Sequence, residues 1–187
     1  MIDIQKQITK FIGELEKGNL CIYNEFSLQH ELGIFLRTKF PEYKVQFERN
    51  IKYFYPQVKQ TTKHEIDIVV FKSDFSEKYA IELKYPRNGQ YPEEMYAFTK
   101  DIAFMEEIKK LGFNETFTFT LVEDKNFYSG NFKSNNIYRF FRNNEKLIGT
   151  INKPTGNQDS KVTLFGEYEI DWKKIPDGRE YYLLKIK

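Results

Sequence analysis

Apolar residues recur at helical spacing in three stretches of the chain. Ile4, Ile8, Phe11, Ile12 and Leu15 fall three or four residues apart and Gly18 closes the pattern, which predicts a first helix within 2–17. Leu28, Leu32, Phe35 and Leu36 predict a second through about Lys39, with Asn24 as its N-cap and Pro41 beyond its end. Met95, Phe98, Ile102, Met105, Ile108 and Leu111 predict a third over 92–113, with Pro92 in its first turn and Gly112 at its C-terminal cap. Between the second and third helices, KVQFERNIKYF (44–54), EIDIVVF (65–71) and KYAIELKYP (78–86) read as consecutive antiparallel strands on short polar connections. TFTFTLVED (116–124) alternates as a strand, and a strand that returns through a helix lies parallel to its neighbour. After Asp124 an Asn-, aromatic- and base-rich stretch precedes strands expected at about 146–151, 161–171 and 180–186, an antiparallel extension. No repeat or linker interrupts the chain. The expectation is one α/β domain over 1–187: a mixed sheet flanked by helices within 24–124, and a β-rich C-terminal extension over 125–187.

Composition narrows the class. A chain of 187 residues, 40% hydrophobic and with 18 Phe and 13 Tyr, can bury a core and is not a disordered polymer. A single Cys, Cys21, excludes an intrachain disulfide and any multi-cysteine zinc site. The first residues mix acids into an amphipathic pattern without the apolar core of a signal peptide, and no apolar run is longer than the four residues of IVVF at 68–71. A soluble cytoplasmic protein without membrane contact is expected. The formal charge of +2 is unevenly spread: residues 64–108 hold ten acids against five bases, and residues 125–146 hold five bases against one acid. The first region suits a cation and the second a polyanion; a surface of mixed sign is the alternative reading.

Candidate chemistry lies where charges interrupt apolar strands. Asp67 stands between Ile66 and Ile68, and Glu82 and Lys84, two residues apart, leave the same face of their strand. The chain has six acid-x-Lys triplets, beginning at Glu42, Glu82, Glu107, Glu123, Asp159 and Asp171, but only the one at Glu82 lies in the middle of a strongly apolar strand. Charges there are costly unless paired or metal-bound. On a helical wheel Glu25 points into the stripe of Leu28, Leu32 and Leu36, adding a third carboxylate. Three carboxylates repel one another, and Mg²⁺, a hard ion that keeps several waters, relieves that repulsion with two or three of them. A lysine beside it can orient or deprotonate a water and offset charge developing on a phosphate. The alternative is structural: Glu82 and Lys84 pair with each other or with neighbouring strands, and Asp67 marks a strand end.

Glu25 on a helix, Asp67 on the second strand, Glu82-x-Lys84 on the third and the helix after it together resemble the PD-(D/E)XK nuclease superfamily, also called restriction-endonuclease-like. The resemblance covers roughly residues 24–124, with Ile66 where the superfamily name has proline. It implies a mixed-sheet α/β core, cleavage of DNA phosphodiesters that depends on Mg²⁺ (or Mn²⁺ as a substitute), metal ligation at Asp67 and Glu82, a water-positioning role at Lys84 and a supporting carboxylate at Glu25. RNA as substrate and a homodimeric assembly are compatible with it. The rival is a non-cleaving nucleic-acid-binding or interaction protein on the same scaffold.

Further candidates surround this set. Glu65 shares a strand face with Asp67 and would assist a metal, or be solvated at the strand end. Arg87 and Gln90, in the turn after Lys84, and Lys100, on the third helix, are candidate phosphate contacts. Lys133, Arg139 and Arg142 interleave with Tyr128, Tyr138 and Phe140 in the way a nucleic-acid binder alternates cations and rings, although such rings also fill cores. His30 and His64 are too few for a zinc site or a catalytic triad.

Overall fold

Two side chains start the first two helices. In the computed structural model, which describes residues 1–131, 136–156 and 160–187, the Asp3 carboxylate accepts from the Lys6 amide and opens α1 (Ile4–Glu16). Asn24 and Ser27 form a reciprocal capping box that opens α2 (Glu25–Lys39). The chain continues through β1 (Lys44–Asn50), β2 (Glu65–Phe71), β3 (Lys78–Lys84), α3 (Tyr91–Lys110) and β4 (Glu115–Val122), then α4 (Tyr138–Arg142), β5 (Leu147–Asn152), β6 (Lys161–Tyr168), β7 (Lys173–Lys174) and β8 (Glu180–Lys185).

β1, β2 and β3 are consecutive and antiparallel, and β4 returns through α3 to lie parallel to β3, both as the pattern predicts. Part of the C-terminal extension is built into the main sheet. β8 pairs antiparallel with β4 and then with β7, so the six-stranded mixed sheet has the order β1-β2-β3-β4-β8-β7. Among the described residues only β5 and β6 form a sheet of their own. α4 was not foreseen, because a five-residue helix shows less than two turns of periodicity.

The main sheet is covered on both faces. α1 and α2 pack Ile8, Phe11, Leu28, Leu32 and Leu36 against Ile68, Val70, Ile81, Phe117 and Phe119. On the other face α3, α4 and the β5–β6 ribbon pack Phe98, Ile102, Met105, Phe141 and Leu164 with Val69, Phe71, Ala80, Val122 and Tyr182. This second layer also buries the threonines of β4, and Thr116 donates to the Met105 carbonyl. Glu106 of α3 fastens the ribbon: its carboxylate accepts the amides of Phe165 and Gly166 and the Tyr168 hydroxyl. Among the described residues no helix is long and apolar enough to cross a membrane.

Candidate active site

The β2–β3 ladder stops short of its apolar sequence. Pairing runs from Phe71–Lys78 to Ile68–Ile81, and one residue further side chains replace it. The Leu83 amide donates to Asp67 Oδ2 at 2.7 Å, and the Asp67 amide donates to Glu82 Oε1 at 3.2 Å. β1 yields at the same level. Glu48, between the paired residues Phe47 and Arg49, adopts φ 47° and drops out of the ladder facing Asp67. The Gln29 amide of α2 bridges the gap, donating to the Asp67 carbonyl at 2.8 Å and to the Glu48 carboxylate. Three strands thus part around Asp67 without leaving its backbone unpaired.

Two residues that sequence reasoning missed complete the cluster. Glu82 is 1% exposed, and its second oxygen is paired with the ammonium of Lys63, which precedes β2. The same ammonium lies 3.0 Å from Oδ1 of Asp101, on α3 and 3% exposed. Lys84 Nζ sits 3.5 Å from Asp101 Oδ2 and 3.4 Å from Glu25 Oε1, and donates to the Leu83 carbonyl at 2.9 Å. Glu25, in the first turn of α2, accepts the Tyr85 amide at 3.0 Å, which ties the helix to the end of β3. The structure therefore brings together all four residues read as catalytic, Glu25, Asp67, Glu82 and Lys84, and adds Lys63 and Asp101.

Charge is not balanced here. Four carboxylates face two ammonium groups, an excess of two negative charges when all are ionised. Burial pushes Asp67 up to about 6 against the pull of Lys63 and Lys84. It pushes Glu82 well above the carboxylate range, and repulsion from Asp67 and Asp101 adds to it. Burial opposes the charge on both lysines, but Asp101 and Glu82 hold Lys63 above its usual value and Asp101 and Glu25 do so for Lys84. Asp101 Oδ2 is buried and accepts no hydrogen bond.

A cavity of about 710 Å³ opens onto this cluster. Glu25, Glu48, Lys63, Asp67 and Lys84 line it, with Phe26 and His64 at its wall; Glu82 and Asp101 lie behind Lys63 and do not. Among the described residues no three His, Cys, Asp or Glu side chains form a ready metal cage. The donors present are nonetheless of the right kind for Mg²⁺, being carboxylate oxygens, and Oδ2 of the buried Asp101 accepts no hydrogen bond.

The outlying candidates take other places. Glu65 lines the cavity at the exposed start of β2. Lys100 is half-buried on α3 and does not line the cavity, and Gln90 is exposed at the N-cap position of α3. Arg87 pairs with Glu123 at 2.8 Å. Arg142 donates its Nε to the Asn126 carbonyl at 2.9 Å and a terminal nitrogen to that of Asn131 at 3.1 Å, so it braces its own segment. Arg139 stacks on Phe140 and lies 3.8 Å from Glu145. Lys133 lies outside the described residues. His30 is on α2 beside Glu31, apart from His64.

Asp101 carried a legible signal. It follows Phe98 by three residues and precedes Met105 by four, so it shares the apolar stripe as Glu25 does on its helix. Lys63 had none, since KQTTKHE is an ordinary polar connection. Searches against family models, curated proteins and solved structures find no match to this chain.

Proposed function

We propose that the protein is a metal-dependent nuclease of the PD-(D/E)XK kind that hydrolyses DNA phosphodiester bonds. The observation that carries this reading is the parting of β2 and β3 around Asp67 and Glu82, with Lys84 and Glu25 on an open cavity and the buried Asp101 ion-paired to Lys84. Gathered carboxylates repel one another, and a divalent cation would relieve that repulsion. Asp67 and Glu82 would hold the ion, which when bound supplies a Lewis acid and acidifies a water. Lys84, fixed by the Leu83 carbonyl, Glu25 and Asp101, aims an ammonium at the cavity, where it orients that water and offsets phosphate charge. Glu25 holds Lys84 and the end of β3 in register.

The test is Mg²⁺-dependent cleavage of plasmid DNA, with EDTA as control. Glu82→Gln and Asp67→Asn, which keep an acceptor for the backbone amides, are expected to abolish cleavage with the fold intact. Lys84→Ala is expected to slow it by about 10²–10⁴-fold without loss of metal affinity. Wild-type-like cleavage by Glu82→Gln removes the assignment. Lys63, which already neutralises Glu82 and Asp101, favours the second reading of a non-cleaving nucleic-acid binder. DNA binding that weakens with salt and is accompanied by no cleavage in any divalent ion selects it.

A further inference from the structure

We infer that Lys63 is a built-in counter-cation that occupies the seat of the divalent ion and must swing into the cavity before Glu82 can bind metal. This deepens the metal-dependent reading above and rests on it. Lys63 lines the open cavity and its ammonium contacts both buried acids, Glu82 and Asp101, neither of which lines it; Lys84, also on the cavity, reaches Asp101 alone. Its ammonium takes one oxygen of each, and Glu82's other oxygen is taken by the Asp67 amide. With Lys63 in place, an ion that approaches Glu82 Oε2 from the cavity meets an ammonium of like charge. Its removal would free one oxygen of Glu82 and one of Asp101, whose other oxygen, Oδ2, faces Lys84 at 3.5 Å.

The exchange needs a side chain to move, not a loop. The backbone before Lys63 is pinned, because Thr62 donates its amide (2.7 Å) and hydroxyl (2.6 Å) to Glu107 of α3; just after it, the His64 carbonyl accepts the Ile51 amide at 2.8 Å. The Lys63 side chain, by contrast, is 27% exposed toward solvent, so a rotamer change releases its ammonium into the cavity. A monovalent cation keeps the acid pair from repelling itself apart when no metal is bound, and a divalent one displaces it by its greater charge.

Amine-acylation footprinting of the whole protein with and without saturating Mn²⁺, read by mass spectrometry, tests this directly. Exposed Lys52 and Lys59 serve as internal references. Lys63 labelling is expected to rise several-fold on Mn²⁺ addition while the references hold steady. In parallel, titration of the free-Mn²⁺ EPR signal should show Lys63→Met binding the ion about tenfold or more tightly, since a unit charge a few Å away is poorly screened in such a site. Labelling that stays level or falls on Mn²⁺ addition overturns the inference, whatever the affinity of the variant, because Lys63 then remains beside the ion. Binding of Mn²⁺ by neither wild type nor Lys63→Met overturns the metal reading itself. If Lys63→Met fails to fold, Lys63→Gln and the wild-type footprint decide the matter.

Discussion

Glu77 accepts three hydrogen bonds, from Lys72 Nζ at 2.6 Å and from the hydroxyls of Tyr43 and Tyr79, each at 2.8 Å. Lys72, then the two tyrosines, hold its carboxyl down at about 2, against an ordinary value of 4.5. A folded-state pKa below the unfolded one stabilises the protein above the unfolded value, and the stabilisation is lost as pH falls through the folded one. Glu77→Gln is therefore expected to lower stability at pH 7, and urea denaturation should show the gap to wild type closing between pH 4.5 and 2. A gap that stays constant over that range would assign the loss to packing. Residues of this kind are not legible in advance, because Glu77 looks like any acid in a polar turn until the distant Tyr43 joins Lys72 and Tyr79 on it. Glu25, Asp67, Glu82 and Lys84 were legible because each breaks an apolar pattern. Lys63 breaks none, and only folding brings it to Glu82.

At the scale of elements, α2 reaches the sheet through a glycine. A Cβ on Gly33 would come within 2.1 Å of the Phe47 ring of β1, so the helix sits close enough for Glu25 and Gln29 to reach β2 and β3. Gly33→Ala gains helix propensity of ~1 kcal/mol but must push that ring aside, a strain of about 1–3 kcal/mol. A net loss in denaturation experiments is expected, smaller in the Gly33→Ala/Phe47→Leu double variant than the single losses summed. Equal additive losses would mean that the contact does not set the spacing. The three longer helices were readable: α1 and α2 end within a residue or two of their expected limits, and α3 stops at Lys110, three residues short of its own. β1 was read too long because IKYF, apolar like a strand, turns into a 3₁₀ segment at Ile51–Tyr53.

The whole molecule holds together differently from the reading of a core over 24–124 with an appendage. β8 is an interior strand, and Tyr182 and Ile186 contribute to the same core as α3. A fragment ending at residue 124 leaves β4 paired on one edge alone and α3 without the ribbon that Glu106 holds. It is expected to lack cooperative thermal unfolding and dispersed NMR amide signals, and a well-folded fragment would restore the two-part view. Pairing between strands some 60 residues apart leaves no mark on local periodicity, so the sheet order past β4 could not be read. The late arrival of β8 has a consequence during synthesis. At ~5–20 residues per second, the ribosome needs roughly 3–12 seconds to travel from the end of β4 to the end of β8. For that interval TFTFTLV, an uncharged, proline-free stretch of strong strand formers, has one edge open to other nascent chains. Polysomes bring such chains close together, so the yield of active protein depends on how quickly translation closes this seam.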